Sequence, residues 1–276
     1  MKTYIKQYGE FGDLLFIENG DVVLGVPLNF GLRISYLSYK GSDNLMFEHP
    51  SNSTKFTTDN GWRLYGGHRL WIAPEGDESY YPDNEPISYT VYDDKVVFTQ
   101  KRDPWIDVIK SFEISFTKDG LVKIEHKITN VADKVKRFAP WSVTTLAGGG
   151  VEFIPLKEPT STYTPKYRLS MWRNAFLNDS RLEFLNNGIR ITHEENREPC
   201  KIGVGHPDKS VTYTNKGVIF EKIINVIENA TYPDGDVSFE TYLIGEFAEL
   251  ETLAPLSDVE PNKTVCHTET WRLTKK

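Results

Sequence analysis

Apolar and polar residues alternate with period two through most of this chain, and no stretch carries the 3.6-residue period of a long amphipathic helix. The clearest case spans Val108 to Thr117 and Leu121 to Thr129, on either side of Lys118-Asp119-Gly120. Phe112, Ile114 and Phe116 fall on one face, as do Val122, Ile124, His126 and Ile128, while Lys123, Glu125 and Lys127 take the other. This predicts an antiparallel hairpin with its apolar face in the core and His126 as a core histidine. Asn19-Gly20 predicts a second hairpin between Leu14 to Glu18 and Val22 to Val26, because both turn positions must tolerate positive φ. Asp93-Asp94 predicts a third, between Ser88 to Tyr92 and Lys95 to Lys101.

Further strands are expected at Leu32 to Tyr39, Leu45 to Glu48, Arg137 to Leu146, Gly188 to His193, Lys201 to Gly205, Val211 to Tyr213, Val218 to Lys222, Val237 to Ile244 and His267 to Leu273. About sixteen short strands separated by turn residues predict an all-β protein of large packed antiparallel sheets, one domain over residues 1–276. Pro159 to Asn187 fits no pattern, and its Tyr163, Tyr167 and Trp172 are expected on a second loop over a cleft.

Composition narrows the function. A net charge of −7 arises from acidic residues scattered along the chain, with no basic stripe to neutralise a phosphate backbone, so nucleic acid is excluded as a partner. No stretch is apolar enough to span a bilayer, and the first residues lack the apolar run of a signal peptide, which points to a cytoplasmic protein. The Asn-x-Ser/Thr triplets at Asn52 and Asn229 are then no glycosylation sites. Cys200 and Cys266 stand outside any CxxC and read as two free thiols. His193-Glu194-Glu195 lacks the second histidine of the helical zinc motif, and a Pro-flanked turn accounts for Asp83, Asn84 and Glu85, so no metal or cofactor is assigned. An exposed sheet edge offers a way to pair two copies into a homodimer, without indicating which edge.

The candidate chemistry gathers in Gly61 to Gly76, GWRLYGGHRLWIAPEG. Trp62, Arg63, Tyr65, His68, Arg69, Trp71 and Glu75 surround two glycines and a proline, which reads as a loop-rich segment lining a pocket. Aromatic plates stack on the C–H faces of a sugar, and guanidinium and imidazole groups serve its hydroxyls, so a sugar or sugar derivative is the expected ligand.

Three local matches carry a resemblance to the galactose mutarotase superfamily, which includes the aldose 1-epimerases. Phe30-Gly31-Leu32-Arg33-Ile34, followed by Lys40-Gly41-Ser42-Asp43-Asn44-Leu45, resembles the family's opening strand and Gly turn. Gly66-Gly67-His68 resembles its His-bearing glycine-rich loop, and Glu249-Leu250-Glu251-Thr252 resembles the Leu-Glu-Thr sequence that holds the catalytic base. The C-terminal Leu250 to Leu256 and Thr268 to Leu273 resemble most closely an uncharacterised branch. The resemblance implies a β-supersandwich and anomer interconversion, with Glu251 as base and His68 as acid. The epimerases carry a second histidine where this chain has Ala139-Pro140-Trp141-Ser142-Val143-Thr144.

Anomer interconversion needs a base at the anomeric hydroxyl and an acid at the ring oxygen. Glu249 and Glu251 alternate on a presumed strand and share a face, where mutual repulsion would raise one pKa. Arg63, Arg69, Trp71, Glu75, Trp141 and Glu249 are the expected sugar-binding residues; for each, a core or ion-pair role stands as the alternative. Three readings follow: an aldose 1-epimerase-like isomerase, a non-catalytic carbohydrate-binding protein with the same cleft, and a glycoside hydrolase or lyase.

Overall fold

The computed structural model describes residues 1–49, 56–159 and 161–276, so Asn52 lies outside the described residues. Within them the chain is built from three antiparallel sheets. The expected hairpins form in register: Phe112 faces His126 and Ile114 faces Ile124 between Val108–Phe116 and Val122–Asn130. Both strands alternate buried and half-buried positions along most of their length, as the apolar period requires.

One sheet has four strands, ordered Lys2–Gln7, Asp13–Asn19, Val22–Pro27 and Tyr36–Tyr39. The ten-stranded sheet centres on Val218–Ile223, Thr264–Lys275, Val122–Asn130 and Val108–Phe116. The sheet that positions the site runs, in order, Leu169–Met171, Cys200–Val204, Phe239–Ile244, Phe247–Leu253, Lys136–Ala147, Gly67–Ala73 and Arg33–Ile34.

Three expectations are corrected. Leu45 to Glu48 is not a strand: isolated bridges from Met46 to Leu146 and from Glu48 to Gly66 are what it forms. Leu32 to Tyr39 is not one strand: Ser35 donates its N–H to Gly25 O (2.9 Å), and the chain there passes from Arg33–Ile34 in one sheet to Tyr36–Tyr39 in another. Gly61 to Gly76 is loop only at its two ends: Gly67–Ala73 within it is an inner strand between Lys136–Ala147 and Arg33–Ile34. Its polar and aromatic residues disguised it; both faces are covered, so apolar-polar alternation gives way to a mixture.

The two glycines before His68 have a steric reason. Gly66 and Gly67 have φ of +79° and +73°, and a Cβ would sit 2.0 Å from Phe47 O and 2.4 Å from Ile34 O respectively. Gly67→Ala is expected to cost about 2 kcal/mol or more, from the left-handed backbone and the carbonyl contact together. Urea denaturation checks this, and a loss under half that size would mean the neighbouring strand yields.

The large sheets meet over an apolar interior holding Phe112, Ile124, Phe239, Leu250 and Trp271, with a polar network embedded in it. Glu269 accepts from Ser142 Oγ (2.6 Å), Lys222 Nζ (2.8 Å) and Thr252 Oγ1, and from Trp271 Nε1 (3.2 Å). His126 Nδ1 donates to His267 O (3.1 Å), which leaves its Nε2 to accept from His68 Nε2 (2.7 Å); His68 Nδ1 then accepts from Thr144 Oγ1 (2.8 Å). These bonds join the two sheets and set the tautomers of His68 and His126.

Glu152, also interior, accepts from Thr241 Oγ1 (2.8 Å), and its Oε1 has no partner among the described residues. Burial pushes its pKa up to about 8. A carboxyl raised in this way stays protonated in the fold, so its contribution is whole below pH 4.5 and is lost as pH climbs toward 8. Glu152→Gln keeps the acceptor for Thr241 and should raise stability at pH 7 by up to about 3 kcal/mol, with little change at pH 4.5. Denaturation curves at the two pH values provide the comparison.

Candidate functional site

The strand period decides what the site contains. In Gly67–Ala73, Arg69 and Trp71 project from one face, whereas His68 and Leu70 project from the other, into the sheet-to-sheet interior. The outward face carries a cavity of about 490 Å³, a volume suited to a small ligand. Neighbouring strands contribute Trp141, Glu249, Glu251, Tyr242 and Lys201, and flanking segments add Trp62, Glu75, Tyr80 and Trp172.

Cross-strand register explains the convergence. Trp141 pairs with Trp71, Glu249 with Tyr242, Tyr242 with Lys201, and Glu251 with Glu240. Residues directly opposite one another share a face, so these side chains form continuous rows. Trp71 lies edge-on to Trp141 (5.3 Å between ring centroids) and to Tyr80 (5.3 Å), and tilted against Trp62 (5.7 Å). Together they make an aromatic wall.

The charged residues are matched to one another. Arg69 lies over the Trp71 ring (4.4 Å) and donates to Thr145 Oγ1 (2.9 Å) and Glu249 Oε1 (3.2 Å). Lys201 Nζ sits 2.9 Å from Glu240, 3.2 Å from Glu251 and 3.9 Å from Glu75, over the rings of Trp141 (4.5 Å) and Trp172 (4.8 Å). Burial works against the ammonium, but Glu251, Glu240 and Glu75 more than reverse this and hold it charged.

Glu251 is 1% exposed, and its Oε2 accepts from Trp141 Nε1 (2.8 Å) and Lys201 Nζ (3.2 Å). Its other oxygen, Oε1, has no hydrogen-bond partner among the described residues, nor has Oε1 of Glu240. Burial raises the pKa of Glu251; Lys201 opposes the rise and Glu249 adds to it. The arrangement therefore provides a carboxyl poised to exchange a proton beside an ammonium, within aromatic walls.

Of the expected site residues, Glu251, Glu249, Glu75, Arg69, Trp71 and Trp141 line this one cavity. His68 does not: it is fully buried on the reverse face of its strand, bonded to Thr144 and His126, and burial holds its pKa well below the usual histidine value. The expected pairing of His68 with Glu251 across a sugar therefore fails on geometry. Arg63 is not among the lining residues either. In the Pro159 to Asn187 segment, Trp172 reaches the cavity as expected of a loop over a cleft, whereas Tyr163 is 96% exposed and Tyr167 bonds Leu185 O (2.6 Å).

Lys201 is a charged cavity residue that sequence reasoning missed. Its one local signal is a charge in the apolar run Cys-Lys-Ile-Gly-Val, and nothing nearby names its partners. His193 proves structural, accepting from Gly149 N–H (2.9 Å) and donating to Ile244 O (2.7 Å). Asp83 is occupied by Arg33 (2.7 Å).

Sheets of this number and order, with a cavity on the outward face of the inner strands, define a galactose mutarotase-like β-supersandwich. A galactose mutarotase-like protein from Lactobacillus casei superposes with a TM-score of 0.60 at 10% identity, over 95% of this chain and 100% of the other. Another from Clostridium acetobutylicum gives 0.58 at 9% identity, over 99% of each chain, and Slr1438 from Synechocystis gives 0.62 at 10%, over 95% and 96%. No protein-family model matches the chain, and no curated protein matches it. The likeness is one of fold. No helix among the described residues is long and apolar enough to cross a membrane.

Proposed function

We propose that the cavity binds a sugar and that the protein interconverts its anomers, with Glu251 taking the proton of the anomeric hydroxyl. The observation that carries this reading is Glu251 itself: a buried carboxyl lining an aromatic-walled cavity, raised in pKa, with one oxygen unmatched. A base whose pKa lies near the working pH transfers protons most effectively. Trp71 and Trp141 offer ring faces and edges to the sugar, Glu75 and Glu249 accept from its hydroxyls, and Arg69 orients Glu249.

One observation favours a second reading, a sugar-binding protein without proton chemistry: no histidine lines the cavity among the described residues. Magnetisation-transfer NMR over a panel of aldoses, uronic acids and phosphosugars separates the two. Accelerated anomer exchange for any member supports the isomerase, and ligand-induced shifts without acceleration would leave only the binding role.

A further inference from the structure

Resting on the reading of Glu251 as the base, we propose that Lys201 is the general acid that gives a proton to the ring oxygen of the sugar. The two oxygens that exchange protons are bonded to the same carbon. Donor and acceptor must therefore stand side by side rather than across the ring. Lys201 Nζ is 3.2 Å from Glu251 Oε2, and both residues line the cavity. Position and chemistry thus coincide.

The arginines and tyrosines of the cavity are less suited. Arg69 and Arg173 do not give up a proton at any working pH. Tyr80 donates its hydroxyl to Glu75. Tyr242 stands opposite Glu249 on the neighbouring strand rather than beside Glu251, and burial pushes its hydroxyl up to about 12. Burial weakens a phenol as an acid because the phenolate carries the charge, and strengthens an ammonium as an acid because the neutral amine does not. For Lys201 burial favours release of the proton, a pull that Glu251, Glu240 and Glu75 outweigh as long as Glu251 keeps its charge.

The resting state stores this tendency. Three carboxylates hold the ammonium charged against burial, and Glu251 is foremost among them. When Glu251 takes the anomeric proton, its charge disappears, and the balance at Lys201 shifts toward release. The C1–O5 bond then breaks as O5 takes the Lys201 proton, and O1 becomes the aldehyde oxygen. After rotation about C1–C2, O5 attacks C1 and returns its proton to Lys201, while O1 recovers a proton from Glu251. Atoms and charges balance, and no oxidant or further reactant is needed.

Lys201→Arg keeps a positive charge among Glu240, Glu251 and Glu75 but cannot donate a proton. Tested by anomer exchange on the same sugars, it is expected to keep ligand-induced shifts and lose at least about 100-fold in rate. Lys201→Ala should regain rate with added ethylamine, because the free amine replaces the missing acid. Exchange at the wild-type rate in Lys201→Arg, with Glu251→Gln inactive, would overturn the assignment of Lys201 alone. Loss in Lys201→Arg without rescue of Lys201→Ala would make Lys201 a positioning residue and also overturn it. Wild-type protein inactive on every sugar would remove the reading of Glu251 and this inference with it.

Discussion

Glu251→Gln is expected to lower the anomer-exchange rate by about 10²- to 10⁴-fold, while sugar-induced NMR shifts and thermal midpoint stay close to wild type. Glutamine matches glutamate in shape, and its carbonyl oxygen can accept from Trp141 Nε1 and Lys201 Nζ as Oε2 does now. Lys201 retains its contacts with Glu240 and Glu75, so the cavity need not rearrange. What is lost is the ability to take a proton. Rate and binding therefore separate in this variant, whereas a change that disturbed the cavity would lower both. An unchanged rate would move the base to another carboxylate of the cavity, with Glu75 the next to replace.

The second large effect belongs to the interior. Lys222→Met should destabilise the protein by about 3–5 kcal/mol, because it leaves the carboxylate of Glu269 buried without its counter-charge. Lys222 is fully buried, 2.8 Å from Glu269 Oε1 and bonded to Leu250 O at 2.8 Å. Burial opposes the charge on Glu269, and Lys222 leads the neighbours that overcome it and hold the pKa well below the usual carboxylate range. A carboxylate lowered in this way stabilises the fold above the unfolded pKa of about 4.5, and that stability is lost as pH falls through the folded value. Lys222→Met combined with Glu269→Gln should recover much of the loss, since no buried charge then remains. Urea denaturation of the single and double variants provides the cycle. If the single variant costs under about 1 kcal/mol, Glu269 does not depend on Lys222.

The network places His68 in an unexpected setting. A histidine between a glycine pair and an Arg-Leu-Trp run reads in sequence as chemistry, yet its two ring nitrogens are taken up by Thr144 and His126 between the sheets. Glu269, to which the sequence assigned no chemical role, accepts from four side chains at the same interface. Both belong to the joining of the sheets, and the cavity uses the opposite face of the same strands.

What the sequence determined by itself is what depends on neighbours along the chain. Period-two alternation marks Val108–Phe116 and Val122–Asn130 as paired strands with His126 turned inward, and Asn19-Gly20 marks its hairpin, because side-chain direction and turn geometry are properties of a few consecutive residues. The shared face of Glu249 and Glu251 follows from the same rule. Tertiary structure alone decided which face is which. A strand such as Gly67–Ala73 is covered on both sides, so nothing local says that Arg69 and Trp71 meet the cavity while His68 meets the interior. The partnership of Lys201 with Glu251 likewise arises from the order of strands: Phe239–Ile244 lies between theirs and brings together two residues 50 positions apart. The pairing of these two side chains depends on that sheet order, which is set by packing over the whole chain and leaves no mark on the residues beside either one.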